Sequence, residues 1–396
     1  MKVYTLILIM MMSPWMLLLA QNDCAEDDLS CQHTKAMLLE AAEAWGEDKG
    51  INSNERSTKL DILHYKVELD MTQFDRAYIN GSCTISCTPK VDSVSQIELD
   101  LLKMEVGDVL WKNRKLTYRY NDTILTVRLD HLLMVGDTTE ITIQYNGSPQ
   151  KDAQWGGFYY KGNYAYNMGV GFASNPHNYG RVWHPCFDNF AERATYTFVI
   201  TTNSTQRAHC NGYLQSEHTV DDKTTRVWKL KAPIPSYLAC IAVGDYITLK
   251  EAHQGVNGVV PIELAANKSD TANLNASFEH LKDAIAAYEY WYGPHRWSKV
   301  GYSLVPFRSG AMEHATNIAY PINAVDGTLK KESLMAHELG HSWWGNLVTC
   351  ETAKDMWINE GMASYSVHLF WEYVYGRERY LKEVNDNHYY VFNNAH

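Results

Sequence analysis

Residues 337–347 read His337-Glu338-Leu339-Gly340-His341-Ser342-Trp343-Trp344-Gly345-Asn346-Leu347. They fall in a segment, Lys331 to Leu347, whose composition is compatible with helix. Histidines four apart stand one above the other on a helical face, so both imidazoles reach a single Zn2+ at about 2.0–2.1 Å. Glu338, beside the first histidine, is then placed to hold a water against the metal and take its proton. The competing arrangement is a helix that carries two surface histidines. A third ligand separates the two, because a catalytic zinc takes three protein ligands and keeps its fourth position for water. Glu360 fills that role in Met356-Trp357-Ile358-Asn359-Glu360-Gly361-Met362-Ala363-Ser364-Tyr365, where a loop enters a new helix running to about Tyr375. A helix, a crossing loop and a second helix return its carboxylate to the imidazoles. One Zn2+ per chain is expected on His337, His341 and Glu360.

Upstream, Gly310-Ala311-Met312-Glu313-His314 lies between a strand-like run, Val300 to Val305, and the polar Thr316-Asn317. A Gly/Ala pair gives an extended peptide close access to backbone, and Glu313 is suited to a cation such as a substrate's free α-ammonium. Taken alone the pentapeptide also fits a turn with an exposed acid; its position ahead of the zinc helix favours the functional reading.

Outward from these stretches the chain divides by period. Alternating apolar residues mark strands at Tyr65–Leu69, Ile97–Asp100, Leu125–Leu129, Ile141–Tyr145, Tyr196–Ile200, Val227–Leu230 and Leu238–Val243. From Thr271 the period becomes helical, with Leu274, Phe278, Leu281, Ile285, Tyr288 and Trp291 on one stripe that Gly293-Pro294 stops. The expected organisation is a signal peptide over 1–20, a polar leader over 21–58, an antiparallel β-domain over 59–250 and a helix-rich domain over 260–396. The fold class is α+β.

Lys2, the apolar runs Leu6–Met12 and Trp15–Leu19, and the break at Ser13-Pro14 have the layout of a secretory signal cut near Ala20. Export is therefore expected, with membrane attachment only if this segment stays as an uncleaved anchor. Eight cysteines in an oxidising compartment allow disulfides without fixing their connectivity, and Cys83 and Cys87 share a strand face but stand too far apart to bridge. Asn80, Asn121, Asn146, Asn203, Asn267 and Asn275 begin Asn-x-Ser/Thr sequons, acceptors only in a eukaryotic secretory pathway. With 35 Lys and Arg against 46 Asp and Glu, the net charge of −11 argues against a nucleic-acid partner. His177, His184, His209, His218, His253, His280 and His295 show no ligand spacing and are expected at the surface or in local hydrogen bonds. Cys186 is expected as a packed thiol or disulfide partner, and Trp343 and Trp344 as packing residues.

His337 to Leu347, Trp357-Ile358-Asn359-Glu360-Gly361 and Gly310-Ala311-Met312-Glu313 together resemble the gluzincin aminopeptidases, peptidase family M1, of aminopeptidase N type. Arg181-Val182-Trp183-His184-Pro185-Cys186-Phe187-Asp188-Asn189, Tyr237-Leu238 and Val243-Gly244-Asp245-Tyr246 extend the resemblance over about residues 60 to 390. It implies a saddle-shaped amino-terminal β-domain followed by a thermolysin-like catalytic domain, incomplete here at its carboxyl end. It also implies zinc on His337, His341 and Glu360, with Glu338 as general base and proton shuttle. Glu313 would recognise the amino terminus of a peptide substrate, and Gly310, Ala311 and Met312 would align it as an added strand. Three positions depart from the family pattern. His314 replaces an Asn and is expected to oppose the substrate amine if it ionises. Pro176 replaces an amine-holding Gln or Glu, with Asn175 and Asn178 as the nearest polar stand-ins. The family's oxyanion Tyr lies farther beyond the Glu ligand than Tyr380, Tyr389 or Tyr390. A zinc-binding but inactive fragment, a peptide-binding module and a zinc endopeptidase are the competing readings.

Overall fold

A computed structural model describes residues 55–394. The expected signal segment and nearly all of the leader lie outside the described residues. Nineteen strands and five helices follow, and among the described residues no helix is long and apolar enough to cross a membrane.

The first half is built on an eight-stranded sheet whose core strands are β1 (Leu60–Asp70), β2 (Ile79–Pro89), β8 (Thr139–Gly147), β11 (Ala194–Asn203) and β14 (Lys223–Ile234). Each alternates buried with half-exposed residues, mostly apolar against polar, although β14 also buries Thr224 and Arg226. Pairing is antiparallel except between β1 and β11, which run parallel, so the expected all-antiparallel domain carries one crossover pair. A four-stranded sheet joins β9 (Gly156–Lys161), β10 (Tyr164–Gly171), β12 (Arg207–Cys210) and β15 (Ile241–Gly244), and every residue of β10 is buried. The family-like block at 181–189 is a turn organised around Asp188. Its carboxylate, fully buried, accepts hydrogen bonds from the backbone N–H of Gly180 and Arg181 at 3.1 Å each and from the Ser236 hydroxyl at 2.6 Å.

The second half opens with the hairpin β16 (Tyr246–Gly255) and β17 (Gly258–Asn267). The expected domain junction between 250 and 260 falls inside this hairpin. Beyond β17 the sheet continues in parallel through β18 (Val300–Val305) and β19 (Ile318–Pro321). The expected helical stripe from Thr271 is two helices, α1 (Thr271–Ser277) and α2 (Leu281–Tyr292), because the chain leaves helical geometry at Phe278 to bury that ring against Tyr302 and Tyr320. Three more helices complete the half: α3 (Glu332–Gly340), α4 (Met356–Tyr375) and α5 (Arg377–Asn394).

All six described cysteines are free and buried, and burial raises their thiols; Cys240 and Cys350 are pushed up to about 12. Four of the histidines expected at the surface or in local bonds, His177, His184, His209 and His295, are buried. His184 sits among the rings of Tyr65, Trp183 and Tyr196, donates Nδ1–H to the Pro185 carbonyl at 3.2 Å, and has no hydrogen-bond partner at Nε2. Burial holds its pKa down to about 4. A depressed folded-state pKa contributes stability above the unfolded value near 6.5 and loses it as pH falls toward 4. The linked amount is about 3 kcal/mol. Urea denaturation at pH 7 and pH 4 is expected to show this loss, reduced by about that amount in His184→Phe. An equal pH dependence in both proteins would refute the assignment.

Candidate metal centre and active site

The metal-ligand helix is short and held at many points. α3 ends at Gly340, seven residues before the expected limit of Leu347, because the chain turns back through Trp343 to Val348 and lets Trp344 bridge Val348. That turn sets the second imidazole: the Trp344 carbonyl accepts Nδ1–H of His341 at 2.8 Å, which directs the Nε2 lone pair inward. Buried tyrosines fix the helix from behind, Tyr302 donating to the Met335 carbonyl and Tyr288 to that of Ala336, both at 2.8 Å. α4 packs close on the other side. A Cβ on Gly340 would lie 3.0 Å from Cβ of Ser366, so the glycine in the motif is the contact that lets the two ligand-bearing helices approach.

The helices bring together the three predicted ligands. Nε2 of His337 and Nε2 of His341 are 3.0 Å apart, and Oε2 of Glu360 lies 3.3 Å from the first and 3.7 Å from the second. All three residues are buried. For bonds of 2.0–2.1 Å, the edge of a tetrahedral zinc site is about 3.3 Å. The observed separations bracket that edge, and two neutral imidazoles with one carboxylate are a donor set suited to zinc. A second set of polar atoms overlaps the first: a carboxylate oxygen of Glu313, one of Glu338 and a ring nitrogen of His341 lie within 4.8 Å of one another, all on buried residues. Three buried carboxylates in so small a volume repel one another strongly unless a cation joins them, which is a second reason the residues fit a divalent metal.

The Gly310–Glu313 segment reaches this cluster as an extension of the second sheet. Met312 exchanges two backbone hydrogen bonds of 3.0 Å with Ala319, adding its segment beside β19. Gly310 has φ of 102°, a conformation that glycine adopts without strain.

The ring of His314 is fully buried and its Nε2 faces the side-chain amide nitrogen of Asn167 at 3.2 Å. That amide is oriented by its oxygen, which accepts Ile241 N–H at 2.9 Å, so Nδ2 donates and Nε2 of His314 must accept. The ring is therefore turned toward β10, with Nε2 accepting that bond. Asn175 and Pro176 line a separate cleft of about 580 Å3 with Arg56, Asp100 and Tyr179, while Asn178 is buried in a backbone bridge to Val170. Tyr380 meets Tyr365, and Tyr389 and Tyr390 are exposed on α5.

Sequence reasoning missed the residues that hold the centre's loops. Asn346 donates to the Glu313 carbonyl at 3.0 Å; Arg193 donates to the Asn346 carbonyl at 2.6 Å and to the Thr349 hydroxyl at 2.8 Å. Tyr237 donates to the Gly345 carbonyl at 3.2 Å, Asn211 to that of Ala315 at 2.6 Å, and Trp155 to that of Ser309 at 2.6 Å. Arg193, Tyr237, Asn211 and Trp155 all come from the first half. Tyr237 and Asn346 carried a signal, through their places in family-like segments.

Two histidines one helical turn apart, a glutamate from the next helix and two further buried carboxylates make a site suited to a divalent metal. The description of the peptidase M1 amino-terminal domain matches residues 62–238, and that of the peptidase family M1 domain matches residues 276–395. The chain belongs to peptidase family M1. Glutamyl aminopeptidase of Homo sapiens is 31% identical over 194 residues, covering 46% of this chain and 20% of that protein. The bovine enzyme of the same name is 29% identical over 197 residues, again 20% of its length, so the chain matches about a fifth of these curated relatives. An M1 zinc metallopeptidase from Deinococcus radiodurans bound to a Tyr-Ser-Ala substrate shares the fold with a TM-score of 0.75 at 22% identity, covering 84% of this chain and 75% of that one.

Proposed function

We propose that this chain is an aminopeptidase that removes the first residue of peptides, with one Zn2+ held by His337, His341 and Glu360. The observation that carries the reading is the placement of Glu313 beside Glu338 and His341, within 4.8 Å. In a peptide the α-nitrogen and the carbonyl carbon of one residue are about 2.5 Å apart. A carboxylate that anchors the free ammonium so close to the metal ligands therefore presents the first peptide bond and no other. When bound, zinc polarises the scissile carbonyl and lowers the pKa of water. Glu338 takes the proton of the attacking water and returns it to the departing amine, so the carbon–nitrogen bond breaks without releasing a free amide anion. The Gly310–Met312 backbone aligns the substrate as a further strand along the sheet. The apolar amino-terminal pattern after Lys2 supports an exported enzyme.

The reading is tested with paired peptides. Those with a free amino terminus are expected to be shortened from that end, and their N-acetylated forms to resist. Glu313→Gln, which removes the charge opposite the ammonium, is expected to lower kcat/KM for the free peptide about 10–100-fold. Equal cleavage of the acetylated peptides, or internal products in mass spectra, would overturn the exopeptidase assignment.

A further inference from the structure

Away from the metal centre, a cleft of about 320 Å3 opens where the edge of the first sheet meets the β16–β17 hairpin. Its walls carry Arg207, Arg226 and Lys250 together with Glu217 and Glu263, and His209 and Trp228 line it as well. Lys299 stands behind Trp228, with Nζ 4.2 Å from the ring centroid. The ion pairs are shared unequally. Glu217 accepts from Arg226 at 2.6 Å and lies 3.5 Å from Arg207; Glu263 accepts from Lys299 at 2.8 Å and lies 3.6 Å from Lys250. Three cations and two carboxylates line the cleft, and a fourth cation, Lys299, backs its wall behind Trp228, so positive charges exceed negative ones by two around one concave volume.

Arg226 and Lys299 are buried, whereas Arg207 and Lys250 are half-exposed or more and stand at the rim. We propose that this cleft binds a small doubly charged oxyanion of the phosphate or sulfate type. Such an ion matches the surplus charge, and the volume accommodates it with part of its water shell, at about 30 Å3 per water. Arg207 and Lys250 at the rim and the buried Arg226 supply donors to it, and Lys299 adds its charge from behind the wall. Burial holds His209 well below its ordinary pKa, and the fields of Lys299, Arg226, Arg207 and Lys250 push the same way. Occupancy would tie the first sheet to the hairpin. Strand β12 continues through Asn211 and Gly212 into hydrogen bonds with Ala315 and Thr316, just after Glu313, so the site is connected to the amine-recognising segment.

The test is calorimetric titration of the full chain with inorganic phosphate and with sulfate, paired with melting curves against sodium chloride at equal ionic strength. One saturable site and a melting temperature that rises with ligand concentration are expected. The Arg207→Ala/Lys250→Ala double variant, in which each acid keeps its buried partner, is expected to weaken binding about tenfold or more. Glu217→Gln, which adds to the surplus charge, is expected to tighten it. The proposal is overturned if chloride stabilises equally, if the double variant binds as the parent does, or if phosphate binding disappears with chelation of the metal instead.

Discussion

Replacing Glu338 with glutamine is expected to lower kcat about 100- to 10,000-fold while the chain keeps its zinc. The substitution preserves the shape of a buried side chain in the helix that carries His337 and is capped by His341, and Glu338 is not one of the three groups whose spacing matches a tetrahedral edge. An amide cannot take a proton from water at neutral pH, nor return one to the departing amine. Ground-state binding through Glu313 is untouched, so KM is expected to change little. Zinc content by atomic absorption and steady-state kinetics on one free-amino peptide settle the matter together. Near-parental turnover in the variant would remove Glu338 from the chemistry, and zinc bound by a parent chain with no turnover would favour the binding-module reading.

His341→Ala separates ligand from base. It deletes one corner of the donor triangle and the Nδ1–H bond to the Trp344 carbonyl that holds the turn after α3. Loss of a zinc ligand from a three-residue set is expected to leave less than about 0.1 equivalent of metal after dialysis. Activity should fall with it, and the melting temperature should drop, because Glu313, Glu338 and Glu360 remain buried together without a cation. Chelation of the parent protein is expected to reproduce the loss of activity and the lower melting temperature, and added zinc to reverse both. Retention of a full equivalent of zinc by His341→Ala would mean that the metal sits elsewhere.

The two variants address residues whose roles were legible locally. His337, Glu338 and His341 lie within one and a half helical turns, where spacing dictates geometry, and Glu360 lies on the next helix. The strands of the first sheet were legible for the same reason, since a half-buried strand writes its alternation into adjacent residues. Other features depend on contacts between distant segments and leave no local pattern. Nothing around Arg193 or Asn346 announces that they meet across 153 positions. The direction of His314 is set by Asn167, which is itself aimed by Ile241. The end of α3 was misread because Ser342 to Leu347 contains nothing forbidden in a helix; the turn is imposed by what the tryptophans and Asn346 touch.

The hydrogen bonds that Arg193, Tyr237, Asn211 and Trp155 send across to the loops at 309–316 and 345–349 bear on how such a protein can diverge. The helical half owns every proposed metal ligand, yet the fence around those residues is rooted in the other half. Neither half is therefore a portable module. Exchange of one for a foreign counterpart would keep the chemistry-bearing side chains and misplace the walls that aim them, so the two must drift together, each narrowing the substitutions open to the other.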